Sequence, residues 1–178
     1  MNAGHTIWIY AIAVTLIAAW LDWRTRRIPN WLTLPALALG IGANALADGW
    51  PGVKASLEGA GLALLILLPF VLMRGLGAGD WKLMAAVGAL LGPFLLLIAL
   101  LASVFVSGLM AMVHLVRHGR VLTALRNLVA LIRGAFAFGF RAHPQISLDN
   151  PKLLKLPFGV AAAIATVICY CATRCGAL

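Results

Sequence analysis

"GLGAGDWKLMAAVGALLGP", residues 75–93, decides how this chain is read. It sets a carboxylate, Asp80, at the edge of an apolar run, with further apolar stretches on both sides. An ionised group in hydrocarbon costs roughly a few kcal/mol or more, so an acid placed here needs a reason. The run that follows Asp80 is short, because Gly92-Pro93 reads as a turn and proline disfavours helix continuation. Residues 82–92 are therefore expected to form a short, partial span, and residues 94–116 the next one.

Outward from that stretch, a span needs about 20 mostly apolar residues, with about 17 at the short end. Runs of that kind lie near 5–21, 31–47, 57–73 and 157–173, which brings the expectation to six transmembrane spans. The composition agrees. The 178 residues are 63% hydrophobic and 11% charged, with a mean hydropathy of +1.00. A soluble domain of this size has too few charges to cover so much apolar surface. The expected fold is all-α, a polytopic membrane helix bundle forming a single membrane-embedded domain over residues 1–178.

A formal net charge of +9 would suit a nucleic-acid binder, but the basic residues cluster at the ends of apolar runs, so no nucleic-acid partner is expected. Six spans put residues 22–30, 74–81 and 117–156 on one side. Counting Lys82 at the membrane edge, that side holds Arg24, Arg26, Arg27, Arg74, Arg117, Arg120, Arg126, Arg133, Arg141, Lys152 and Lys155. The other side holds only Lys54 and Arg174. By the positive-inside rule the crowded side is cytoplasmic and both termini are outside. No basic residue precedes the first apolar run, so a cleaved signal peptide is not expected.

Residues 117–156 form a basic cytoplasmic loop with a pattern of its own. On a helical wheel for 117–133, Arg120, Arg126, Asn127 and Arg133 share one arc, and Val121, Leu122, Leu125, Leu128, Val129 and Ile132 the opposite one. That pattern predicts an interfacial amphipathic helix on the lipid surface. The rival reading, another span, would sink Arg126 and Arg133 into the membrane. Cys169, Cys171 and Cys175 lack zinc-site spacing and read as small packing residues. The four histidines, 5, 114, 118 and 143, form no ligand set, so no metal is expected.

Only five acids exist, so each can be weighed. Glu58 is expected to open the third span, where its charge suits a helix N-terminus. Asp48, in "ADGWPG", is a turn residue, and Asp149, in "SLDNPK", a loop residue. Asp22, in "AAWLDWRTRRIPN", and Asp80 differ, because both lie where a span meets the cytoplasm. Each alone could form an interfacial ion pair, Asp22 with Arg24 or Arg26 and Asp80 with Lys82. Two carboxyls at matched depth suggest more: brought together they can share a proton, one acting as general base on a water and the other as general acid. The glycines before Asp80 also read two ways. Gly75 and Gly79 make a small-xxx-small packing pair, while Gly77-Ala78-Gly79 offers backbone shapes and close approaches that other residues forbid.

With these residues in view, the chain resembles a type IV prepilin peptidase, a membrane aspartic protease of the Gly-x-Gly-Asp class. "DWRTRRIPNWLTLP" (22–35) is similar to the family's first catalytic motif, "GAGDWKLMAAVGALLG" (77–92) to the second, and "KLPFGVAAAIA" (155–165) to its last-span segment. The resemblance implies that Asp22 and Asp80 are the catalytic pair. It makes Ile28, Pro29, Asn30, Gly77, Gly79 and Lys82 motif positions that support them. Pro157, Phe158 and Gly159 are implied as packing or substrate-side residues. It also implies the activity, removal of basic leader peptides from prepilins and pseudopilins at the cytoplasmic face of the bacterial inner membrane, without a cofactor. Partners would be the substrate helix and membrane lipid, with pilus-assembly or type II/IV secretion machinery served indirectly. Larger relatives carry an N-terminal cytoplasmic domain with paired cysteines that methylates the new pilin terminus. The sequence lacks those cysteines and is more similar to the short Tad/Flp form, so methyl transfer from S-adenosylmethionine is not expected. The competing readings are a small proton- or cation-coupled transporter or channel subunit using the same two acids, and an assembly scaffold whose acids only set topology. A transporter would more often show internal repeats and deeper acids.

Overall fold

The computed structural model of the chain describes residues 3–73, 75–119 and 157–176. Five helices lie among them: α1 (Ala3–Thr25), α2 (Asn30–Asp48), α3 (Trp50–Leu72), α4 (Ala78–Arg117) and α5 (Phe158–Arg174). Gly4–Thr25, Trp50–Leu72 and Ala78–Arg117 are long and apolar enough to cross a membrane, and α5 is a shorter apolar helix. Among the described residues the protein is all-α, with the long apolar helices of a membrane protein. The amphipathic helix expected over 117–133 and the rest of the basic loop lie, beyond residue 119, outside the described residues, as do Arg74 and Asp149.

Local chemistry sets the ends of these helices. Arg26 takes a left-handed φ of 54° just after α1, turning the chain towards Pro29, whose extended backbone caps α2. A single glycine, Gly49, joins α2 to α3 with φ 63°, and Pro51 follows at the start of α3, where its missing N–H costs nothing. The carbonyl of Phe70 accepts the N–H groups of Gly75 (2.9 Å) and Leu76 (3.2 Å), which closes α3 before Gly77 caps α4.

Two expectations change here. The third helix starts at Trp50, seven residues before the apolar run does, because the Gly49 turn and Pro51 define a start that Lys54 hides from a hydropathy reading. Glu58 consequently lies in the third turn of α3, on an exposed face, and does not serve its N-terminus. Gly75 lies in the bend before α4, so Gly75 and Gly79 are not a pair on one helix face.

α4 is 40 residues long. At about 1.5 Å per residue it would reach roughly 60 Å, about twice the hydrocarbon thickness, if it ran straight. It does not. Gly92 (φ 78°, ψ 175°) leaves the helical region where the sequence predicts a turn, and Pro93 follows it. Leu83, Met84 and Ala85 from before the break share a core cluster with Leu96 from after it, together with Ala18 and Ala162 of α1 and α5. The interior is built from small residues. Gly59 of α3 and Gly88 of α4 lie against each other's backbone with no room for a Cβ on either, the close approach that binds helices where no hydrophobic force can. Cys169 is buried beside Trp8 and Ala99, as a packing residue should be, whereas Cys171 and Cys175 are exposed.

Candidate active site

Asp22 lies in the last turn of α1 and is buried, at 7% exposure. Its charge is met by backbone. The N–H of Gly159, in the first turn of α5, donates to Asp22 Oδ2 at 2.9 Å. That N–H is one of the four a helix start leaves without an intrahelical acceptor, and the positive end of the helix dipole favours a carboxylate there. Glycine at 159 makes this close approach easy: a Cβ would lie 3.1 Å from Asp22 Cβ and 3.2 Å from the Ala18 carbonyl oxygen, so α1 would have to give way slightly. Pro157 caps α5, and Phe158 packs on the main core cluster.

Asp80 is the third residue of α4 and is partly buried. Its carboxyl reaches back to the N–H of Gly77, the residue capping the helix. This is the acid half of a capping box, which satisfies a donor the helix would otherwise leave open. Asp80 feels the charge of Asp22 through space, so the folded chain sets two acids 58 positions apart in sequence within electrostatic reach of each other.

The remaining residues singled out by sequence converge on the same corner. Gly79 lies directly on Ile28, where an added Cβ would sit 3.0 Å from both the Ile28 Cβ and its carbonyl oxygen. Ile28 is buried, Pro29 caps α2, and Asn30 starts it. Lys82 Nζ donates to Asn30 Oδ1 at 2.9 Å, tying the first turn of α4 to that of α2. The ammonium thus goes to an amide and not to Asp80. The Arg24 guanidinium lies over the Trp20 ring, 5.5 Å from its centroid, while the positive charge of Arg26 acts on Asp22.

One contributor was missed by sequence reasoning. Trp81 Nε1 donates to the Leu64 carbonyl at 2.9 Å and so fastens the start of α4 to α3. A tryptophan between Asp80 and Lys82 is a signal of sorts, since a buried indole N–H seeks a partner, but nothing in the spacing names Leu64.

Chemically, the corner offers two carboxyls within electrostatic reach, each holding one backbone N–H and each beside a glycine packed closely on its neighbours, Gly159 on Asp22 and Ala18 and Gly79 on Ile28. Such a pair can polarise a water from one side and protonate a leaving group from the other.

A sequence model of the type IV leader peptidase family matches residues 9–112. Over 94 residues the chain is 39% identical to the prepilin leader peptidase/N-methyltransferase of Escherichia coli (strain K12), covering 47% of this chain and 42% of that protein. Over 116 residues it is 38% identical to the protein of the same description from Dickeya chrysanthemi, covering 59% and 40%. The chain spans about two-fifths of the length of these curated relatives. No solved structure matches it.

Proposed function

The chain belongs to the type IV leader peptidase family, and we propose that it is a membrane aspartic endopeptidase that removes leader peptides from prepilins or pseudopilins. The observation that carries this reading is that Asp22 and Asp80 lie within electrostatic reach, each holding a backbone donor at a helix start. The hydrophobic helix of the substrate lies along the bundle with its leader junction beside the two acids. One carboxylate takes a proton from a water as it attacks the scissile carbonyl, and the other carboxyl gives a proton to the departing amine. A helical junction hides its carbonyl in backbone hydrogen bonds, so the substrate unwinds locally before it is cut. Gly77, Gly79 and Gly159 let Asp80, Ile28 and the end of α1 pack closely around the two acids. Ile28, Pro29, Asn30 and Lys82 hold the first turns of α2 and α4 in register.

In this reading the site faces the cytoplasm at the inner membrane, and both termini lie outside. The support is the crowding of Arg24, Arg26 and Arg27 beside Asp22, together with exposed Trp23 and Trp31 flanking the same turn, as befits a membrane interface. Counting α4 as two spans divided at Gly92 gives six crossings. Family membership favours hydrolysis over a transporter using the same acids.

The test is direct. Purified full-length protein in detergent is incubated with a prepilin whose leader is basic. A shortened pilin from the parent protein, and none from Asp22→Asn or Asp80→Asn, is the expected result. Cleavage that survives either substitution removes the dyad, and a parent protein that cuts no prepilin removes the activity.

A further inference from the structure

The break in α4 leaves backbone groups that must be satisfied where no water is at hand. Pro93 has no N–H to give the Ala89 carbonyl four residues before it, and Gly92 departs from helical geometry between them. The donor comes from another helix. Asn44 Nδ2, on α2, donates to the Ala89 carbonyl at 3.0 Å and to the Leu90 carbonyl at 3.1 Å, and also lies 3.0 Å from the Gly40 carbonyl of its own helix. An amide has two protons. Gly40 is already within the hydrogen-bond ladder of α2, so both protons are best spent on α4.

The neighbouring packing is arranged around this contact. A Cβ on Gly40 would lie 2.9 Å from Ala89 C and Leu90 N, so a glycine is what lets α2 come within reach. From the other side, Gly52 of α3 leaves room for the Asn44 carbonyl. At the opposite end of the same helix pair, Asn30 accepts from Lys82, two residues after Asp80. α2 therefore grips the first half of α4 at both its ends.

We propose that Asn44 is a positioning residue whose amide latches the break in α4 and thereby holds the segment carrying Asp80 against Asp22. The activity consequence rests on the peptidase reading, whereas the latch stands on geometry alone. Asn44→Leu separates donor from shape, because it keeps the branched side-chain outline and has no donor. Spin labels at Leu39 of α2 and Phe105 of α4, both exposed, read the break directly in full-length protein in nanodiscs with the three native cysteines changed to Ala.

The expected result is a broadened Leu39–Phe105 distance distribution together with a kcat for prepilin cleavage lower by about tenfold or more, KM staying within about threefold. An unchanged distribution overturns the latch, whether or not activity falls. A broadened distribution with unchanged kcat overturns its role in holding Asp80. Should Asn44→Leu fail to insert, Asn44→Ala removes the donor with a smaller side chain and is read in the same way. If the parent protein cleaves no prepilin, the peptidase reading has failed and the distance measurement alone decides the latch.

Discussion

The two halves of α4 have similar apolar compositions and opposite surroundings. From Leu83 to Leu90 every residue is buried, in a run half of which is alanine or glycine and which other helices touch on all sides. Beyond Gly92, Phe94, Leu101, Phe105 and Leu109 stand exposed, while Leu96, Ala99 and Ser103 turn inwards. A helix that is apolar all round belongs inside, whereas one with bulky residues on a single outward stripe faces lipid. Both halves are apolar past Lys82. Side-chain size separates them, because small residues admit neighbouring backbones and large ones keep them off. The half that is enclosed is the one that begins with Asp80.

The strongest way to test this contrast is at its chemical end. Asp80→Asn and Asp22→Asn should each lower leader cleavage by about a thousandfold or more while the protein still inserts, as read from initial rates in detergent. Next comes the enclosed half itself. Leu83→Ala should cost about 2–5 kcal/mol of stability, because its buried side chain leaves a cavity, and thermal unfolding in detergent will report it. A smaller effect is expected at the edge of the site. Gly79→Ala should cost about 1–3 kcal/mol through its clash with Ile28, and cleavage should fall more steeply than yield of inserted protein. At the bottom of the scale, Phe105→Ala and Asp48→Asn should each change stability by less than about 0.5 kcal/mol and leave cleavage intact. A Phe105→Ala variant as damaged as Leu83→Ala would show that the outer stripe is covered by protein, and the contrast between the halves would collapse.

Much of this was legible from the chain. Glycine and proline announce themselves at Gly92-Pro93 because each forbids something specific, a side chain in one case and an N–H in the other. Asp22 and Asp80 stood out because acids are scarce and these two share a depth. That they work as a pair was implied by resemblance, while the Gly159 contact 137 residues away went unread; neither could follow from spacing, which says nothing about which helices touch. The start of α3 was misplaced because hydropathy weighs Lys54 and Glu58 while the backbone obeys Gly49 and Pro51. Asn44 and Trp81 went unread for a related reason. Each matters through a carbonyl on another helix, and a carbonyl has no letter in the sequence.

The bond between Gly159 and Asp22 also bears on when the site comes into being. A chain emerging from the ribosome has both aspartates in place long before residue 159 is made. At about 5–20 residues per second, the interval is on the order of ten seconds. Throughout it Asp22 lacks the backbone donor that α5 brings, and the corner it shares with Asp80 stays open to its surroundings. Completion of the site is thereby tied to insertion of the last described helix, so a nascent or prematurely terminated chain would hold both acids without the setting that orients them. Co-expression of residues 1–119 with a separate segment carrying α5 would show whether arrival of that helix alone switches the protein on.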